Sequence, residues 1–448
     1  MRRAVGPLLA VTVALVLADS AVVTLALPDI LQELDASVAQ VAWVLISFNL
    51  VLGLCAVPTA SGLLRAQPRI FAALGIAVFA GASAWCALAG SIDVLIAARC
   101  VQAVGGALAL VGCLELMVAD WGERRGVAVW VAAGVVGTAT GPVAGGLLTE
   151  AFSWQAIFVV QVPFAVLAVP AALAVRAVSD RTPDRHRPAV RPNLTLALLS
   201  AALTAALFLL VLLLVEGWGR SPATAALTVS VVPVAALAAR PLARLLRPSS
   251  EVEVAVGCFL VAGGLAGLAI PPSAHLAWTV APQALVGLGL GLTVDRLTAQ
   301  AMELRLPRAH HAGWTIGARH LGVVLGLAIL TPVFTGDLRD AEVPAQEAIA
   351  SLVLDAPLPA EDKIALAQAL GDELSQQQGQ VPDLHRAFEA LDLRDAEERL
   401  AAAELERALD SQLERAATHA FRDSFLIGAG LALLALVPVL APRRRRST

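Results

Sequence analysis

Two ionisable residues interrupt sequence that is otherwise continuously apolar: Asp19 in LLAVTVALVLADSAVVTLAL and Arg99 in VLIAARCVQAVGGALALVG. A charge at membrane depth costs at least ~2.5 kcal/mol on insertion scales, so such residues are functional candidates. With a rise of 1.5 Å per residue, they lie roughly 12 and 10 Å below the same boundary of their apolar runs, and can sit level with one another. Pairing them in one helical bundle lowers the desolvation cost of both. A carboxylate so placed can take up a proton or a cationic group, with the arginine setting when it does; the alternative is a permanent salt bridge that only fixes packing. Gln102, one turn beyond Arg99, shares its face and can hydrogen-bond a ligand or the guanidinium. Arg319 and His320, in ARHLGVVLGLAIL, form a second candidate pair. Histidine ordinarily titrates near neutrality, which suits proton transfer, and a buried, hydrogen-bonded helix residue fits His320 equally well.

Other polar residues read more simply. Asp295 and Arg296 end an apolar run and are expected to snorkel to the interface. Glu115 and Glu216 lie near run ends and are read the same way. His310 and His311 stand in an arginine-rich loop and are expected to be solvated.

The elements that hold these residues must be helices in lipid. Of 448 residues 58% are hydrophobic and only 15% charged, a composition unlike that of soluble proteins. Backbone groups in hydrocarbon must be satisfied within the segment or in a closed barrel, and barrel strands would alternate polar and apolar residues, which these runs do not. The five cysteines all fall in apolar runs, which points away from a disulfide framework or a zinc cluster. No cofactor, metal or nucleic-acid partner is expected, and no nucleophile triad or phosphate loop points to an enzyme. The amino-terminal run reads as an uncleaved first helix and not as a secretory leader.

Spans are expected at 5–27, 41–63, 70–90, 92–118, 126–148, 155–176, 194–216, 223–245, 252–270, 276–297, 312–335 and 423–441. The basic, proline-rich stretch RAVSDRTPDRHRPAVRP falls midway and reads as a linker. The expected organisation is therefore a six-helix bundle over 1–176, a cytoplasmic linker over 177–193, a second bundle from 194–335 and 423–441, and a basic cytoplasmic tail over 442–448. With the amino terminus inside, MRR, LRAQPR, GERR, the linker, RLLRPSS, ELRLPRAHH and RRRR all lie on the cytoplasmic side, as the positive-inside rule requires. Residues 336–422 are then an acidic extracytoplasmic insertion, with leucine and alanine at helical spacing. Tyrosine is absent, so an interfacial belt falls to tryptophan: Trp43, Trp121, Trp154, Trp218, Trp278 and Trp314 lie near span ends.

The fifth span contains GVVGTATGPVAGGLL, with Gly137, Gly141 and Gly145 at four-residue intervals and Pro142 and Gly146 among them. Small residues at this spacing allow close helix approach, and proline bends the helix. This string resembles the fifth-helix antiporter motif of the drug:proton antiporter branch of the major facilitator superfamily. AARCVQAVGGA resembles that branch's fourth-helix motif at Arg99, Gln102 and Gly105, and ADSAVVTLALPDI its first-helix motif at Asp19 and Pro28. WQAIFVVQVP and ARHLGVVLGLAIL also resemble family helices, so the resemblance covers nearly everything outside 336–422. The chain departs from the pattern in SGLLRAQPRIF, which lacks the family's acidic loop residue, and at Ala21 and Thr24, where the family carries threonine and asparagine.

The resemblance implies an all-α integral membrane protein of about twelve helices in two six-helix bundles around a central cavity, with Asp19 and Arg99 facing that cavity. It further implies a monomer in the plasma membrane that exports hydrophobic or amphipathic small molecules by alternating access, with the proton gradient as energy source. An uptake carrier, or a non-transporting membrane sensor whose outer loop binds a partner, remains open at this stage.

Overall fold

Lipid offers no hydrogen bonds, so each apolar run closes its backbone on itself. The computed structural model describes residues 2–63, 67–177, 187–246, 248–271, 273–302, 305–376, 388 and 396–441, and they are almost wholly helical. The centre of the expected linker, the loop at 64–66 and the basic tail lie outside the described residues. The first half comprises α1 (Arg2–Thr24), α2 (Leu27–Glu33), α3 (Val38–Leu63), α4 (Pro68–Ala87), α5 (Ile92–Trp121), α6 (Glu123–Ala151), α7 (Ala156–Val159) and α8 (Gln161–Ala174). The second half begins with α9 (Val190–Thr204), which passes through two wide π-helical turns, Ala205–Leu209 and Leu213–Gly217, on either side of α10 (Leu210–Leu212). It continues with α11 (Pro222–Val229), α12 (Val231–Leu246), α13 (Ser250–Leu268), α14 (Ala277–Met302), α15 (Arg308–Asp355), α16 (Ala360–Gln376), α17 (Ala396–Ala420), α18 (Arg422–Leu434) and α19 (Leu436–Leu440).

Eleven of these helical stretches are long and apolar enough to cross a membrane, or twelve if α6, bent by 40° between Thr138 and Thr140, is one span. The bend has a local cause. Pro142 cannot donate to the carbonyl four residues back, that of Thr138, and its ring crowds that carbonyl. Consecutive spans run in opposite directions, so loops alternate between the face where α1 begins, called here the near face, and the far face.

Glycine sets the closeness of the packing. A Cβ at Gly137 would stand 2.1 Å from the Ala14 carbonyl oxygen, and one at Gly145 would stand 2.4 Å from that of Val22, so α6 lies backbone to backbone on α1. The second half repeats the device. Gly322 and Gly326 of α15 press on the carbonyls of Ala197 and Ala201 of α9, at 2.1 and 2.6 Å. Apolar side chains gain little by leaving lipid for another helix, so van der Waals contact at such small residues holds the spans together. The halves meet where α3 packs on α15 and α6 on α11.

Residues 336–422 are helical in most of their described parts, apart from a break at 356–359, and the helices of the spans on either side continue into them. α15 runs unbroken for 48 residues, about 72 Å at the helical rise and more than twice a hydrocarbon core. Its distal part shares a small apolar core with α16 and α17, built on Ile349, Val353, Leu366, Leu405 and Leu409. Trp218 Nε1 donates to Thr418 Oγ1 at 2.9 Å and Arg220 pairs with Glu414 at 3.5 Å, tying α17 to the far end of the seventh span.

The tryptophans divide. Trp43, Trp278 and Trp314 are exposed on the helix surface, as an interfacial belt requires, whereas Trp154 and Trp218 are buried. Their indole N–H groups explain the difference, since Glu33 accepts from Trp154 at 2.7 Å and Thr418 from Trp218.

Candidate functional site

α1 and α5 bring Asp19 and Arg99 together. The Arg99 Nη1 bonds Asp19 Oδ2, and neither side chain has any exposure. Three further amides and hydroxyls complete the cluster. Gln102 Oε1 accepts from Arg99 Nη1 at 2.6 Å, while its Nε2 donates to Ser83 Oγ at 2.9 Å and to Asp19 Oδ1 at 3.2 Å. Gln161, at the start of α8, donates from Nε2 to the same Asp19 Oδ1 at 2.9 Å. Arg99 Nε reaches the Val44 carbonyl at 3.4 Å, and its guanidinium lies over the Phe48 ring at 4.1 Å from the centroid, a contact in which the ring's negative face offsets part of the desolvated charge. Arg99 Nη2 is buried with no hydrogen-bond partner.

The carboxylate thus sits in an acceptor-only role matched to three donors from two helices, α5 and α8. The cluster lies inside the first half, enclosed by α1, α3, α4, α5 and α8. Among the described residues, neither Asp19 nor Arg99 lines either of the two chambers at the seam, which differs from the resemblance's implication that both face the cavity. The physical reason is the set of partners: turned toward the seam, Asp19 would lose the Gln102 and Gln161 donors that compensate its desolvation.

The cavity at the seam is lined instead by residues a turn away. One chamber, of about 90 Å³, has Ser20, Asn49, Thr204, Phe208, Arg319 and His320 in its wall. A second, of about 100 Å³, is bounded by Pro142, Pro233, Arg240, Leu290, Asp295 and Arg319. Thr138, Leu203, Leu207 and Arg319 belong to both walls and form the partition. The first π-helical turn, Ala205–Leu209, lies in this wall; such insertions in a helix shift the register of side chains and recur at functional sites.

His320 Nδ1 meets Asn49 Oδ1 at 2.7 Å across the seam, from α15 to α3. Asn49 Nδ2 in turn donates to Ser20 Oγ at 3.2 Å, and Ser20 is the neighbour of Asp19 in α1. A polar path therefore leads from the second half to the residue beside the buried carboxylate. Further contacts cross the seam at both faces. On the near face Arg308 pairs with Glu123 at 2.9 Å and approaches Glu115 at 3.7 Å. On the far face Glu150 accepts from the backbone N–H of Ala223 at 2.7 Å, where its charge also complements the positive end of α11.

Among the glycine-motif residues, Gly137, Gly141 and Gly145 bear on α1 and Gly146 bears on Pro222 and Ala226 of α11, so one helix touches both halves. Asp295 and Arg296, expected to snorkel, are each paired: Asp295 with Arg240 at 2.6 Å and Arg296 with Glu253 at 2.6 Å. Glu115, expected to be bland, belongs to the contact across the seam, and His311 is buried at 1% exposure, not solvated. Gln161, Asn49 and Ser83 were not singled out in sequence. Their one signal is an amide or hydroxyl inside an apolar run, and serine and asparagine also occur there bonded only to their own helix, as Ser61 is to Val57.

Two halves of helices meeting at a polar-lined seam, with a buried charge pair in one of them, define a membrane protein of the carrier type. The family model of the major facilitator superfamily matches residues 9–331, and the chain belongs to that family. It is 32% identical to the methylenomycin A resistance protein of Streptomyces coelicolor over 227 residues, which are 50% of this chain and 46% of the relative, so the match spans less than half the relative's length. It is 30% identical to a cephamycin export protein of Amycolatopsis lactamdurans over 72% of this chain and 73% of that one. A bacterial homolog of the human lysosomal transporter Spinster, solved in an inward-facing, unoccupied conformation, shares the fold with a TM-score of 0.63 over 98% of each chain, at 16% identity.

Proposed function

We propose that this chain is a proton-driven exporter of hydrophobic or amphipathic small molecules, working by alternating access in the plasma membrane with its near face cytoplasmic. The observation that carries the reading is the seam cavity and its polar path through His320, Asn49 and Ser20 to the neighbour of Asp19. Family membership and relatives named for resistance and export support it. The arginine-rich segments on the near face support the orientation.

In this reading Asp19 is the proton acceptor. A proton on its carboxyl removes the counter-charge of Arg99, while the Gln102 and Gln161 amides can still bond the neutral acid through its remaining lone pairs. Arg99 must then find other acceptors, and α1 and α5 shift against each other. α1 is clamped to α6 by the glycine contacts, and α6 touches α11 through Gly146, so the shift reaches the seam. Gly137, Gly141, Pro142, Gly145 and Gly146 act in transmission, Arg99 and Gln102 in coupling, and Arg319 and His320 at the cavity.

The test is proton release from energised vesicles containing the full chain, on addition of a panel of amphipathic compounds. Substrate-driven release that disappears in Asp19→Asn is the expected result. Release of the same size in the variant would remove Asp19 from the coupling role, and no compound-driven release in either protein would overturn proton-driven export.

A further inference from the structure

The charges around the seam do not balance. Asp19 is matched by Arg99 inside the first half, and Asp295 is matched by Arg240, whose Nε and Nη2 both bond its Oδ2. Arg319 stands in the wall of both chambers and makes no ion pair or hydrogen bond among the described residues. It is half-buried, and the one carboxylate of these walls, Asp295, acts on it electrostatically but makes its bonds to Arg240, so two arginines face one carboxylate. Arginine stays protonated under all physiological conditions. The two chambers together therefore carry one positive charge in excess, set between a first wall that mixes apolar residues with hydroxyls and a second made chiefly of leucine, valine, alanine and proline. His320, beside it, has its Nδ1 engaged by Asn49 and supplies no negative charge.

An unmatched cation at membrane depth is costly unless a partner arrives to desolvate with it. The guanidinium offers a planar fork that fits a carboxylate through two parallel N–H···O bonds. The apolar parts of both walls fit a hydrocarbon body, and the hydroxyls of Ser20, Thr24 and Thr138 offer a few directional hydrogen bonds. Because Arg319 belongs to the partition, a ligand held there can extend its body into either chamber.

We propose that the seam cavity binds amphipathic organic anions, with Arg319 as the counter-ion of the ligand's carboxylate. This rests on the transporter reading above and narrows its substrate class from hydrophobic or amphipathic molecules in general to acids. Lipophilic cations, which an aspartate exposed to the cavity would favour, are disfavoured here because the walls set two arginines against one carboxylate and Asp19 is enclosed elsewhere.

The experiment is equilibrium binding to the purified full chain in detergent, read by tryptophan fluorescence and by thermal unfolding. The probes are matched sets on 4-phenylbutyl, decyl and naphthylacetyl skeletons, each as carboxylate, primary amide and amine. The expected result is that at least one carboxylate binds about ten- to a hundredfold more tightly than its amide and its amine, the range of one charged hydrogen-bonded contact. Arg319→Gln should bring that carboxylate to the level of its amide, and Arg319→Lys should retain part of the preference. Without ligand, Arg319→Gln should unfold at the same or a higher temperature than the parent, since it removes an unmatched charge; a residue retained only for packing would give the opposite. The proposal is overturned if no carboxylate in the panel outbinds its amide and amine, or if Arg319→Gln leaves the preference intact. Binding is read without a proton gradient, so loss of proton-coupled transport with the preference intact would count against the transport mechanism and leave this assignment standing.

Discussion

Replacing Asp19 by asparagine keeps the shape of the side chain and removes one charge, leaving the Arg99 guanidinium fully buried with Gln102 Oε1, the Val44 carbonyl and the Phe48 ring as its remaining partners. Breaking a buried pair on one side costs about 3–5 kcal/mol, because the surviving charge stays desolvated. The upper part of that range applies here, since neither side chain has any exposure and Arg99 Nη2 already lacks a partner. Arg99→Gln strands the carboxylate in the same way, although the Gln102 and Gln161 amides still donate to its Oδ1, which places its cost toward the lower end. The double variant Asp19→Asn/Arg99→Gln carries no charge at all and should lose less than the sum of the two single losses, by a coupling energy on the order of 2–3 kcal/mol in a double-mutant cycle. Reversible unfolding in mixed micelles, titrated with a denaturing detergent, measures the three losses. Proton-coupled transport measured in parallel should be lost in all three variants, the uncharged double one included. Two results refute the reasoning: strictly additive losses would mean that the two charges do not compensate one another, and coupled transport in the double variant would make the pair a packing device alone.

Two other outcomes follow from the packing and from the near-face contacts. Gly137→Ala places a methyl group 2.1 Å from the Ala14 carbonyl oxygen, so α6 must move off α1 by roughly 1 Å at a cost of about 1–3 kcal/mol, whereas Gly263→Ala, with nothing within 4 Å, should leave unfolding unchanged; equal losses in the two would refute the close approach. Arg308→Gln removes the ion contacts to Glu123 and Glu115 that bridge the halves, so a cysteine at Leu207, in a background without native cysteines, should react faster with a membrane-impermeant maleimide added from the near face; an unchanged rate would show that these contacts do not hold the near face closed.

Span positions were legible in the sequence because hydropathy is a local, additive property: twenty apolar residues in a row seek hydrocarbon whatever surrounds them. For the same reason Asp19 and Arg99 stood out, and the helical rise alone put them at one level. The GTATGPVAGG string announced both a tight helix contact and a bend, and α6 has both. What the sequence left undetermined was the direction each span faces. A leucine or alanine face is equally content against lipid or another helix, so only the packing decides which face turns inward. That is why Gln161 and Asn49 became readable only once α8 and α3 were set beside α1, why Trp154 and Trp218 turned from the expected belt to Glu33 and Thr418, and why Asp19 points into its own half and not into the cavity. The continuation of α15 through residue 336 was hidden for a related reason, since hydropathy reports where lipid ends and not where a helix ends. Arg319 shows the division most clearly. Its presence in an apolar run was plain from the sequence, but that it makes no ion pair or hydrogen bond among the described residues is a property of everything packed around it, since the tertiary arrangement bonds Asp19 to Arg99 and Asp295 to Arg240.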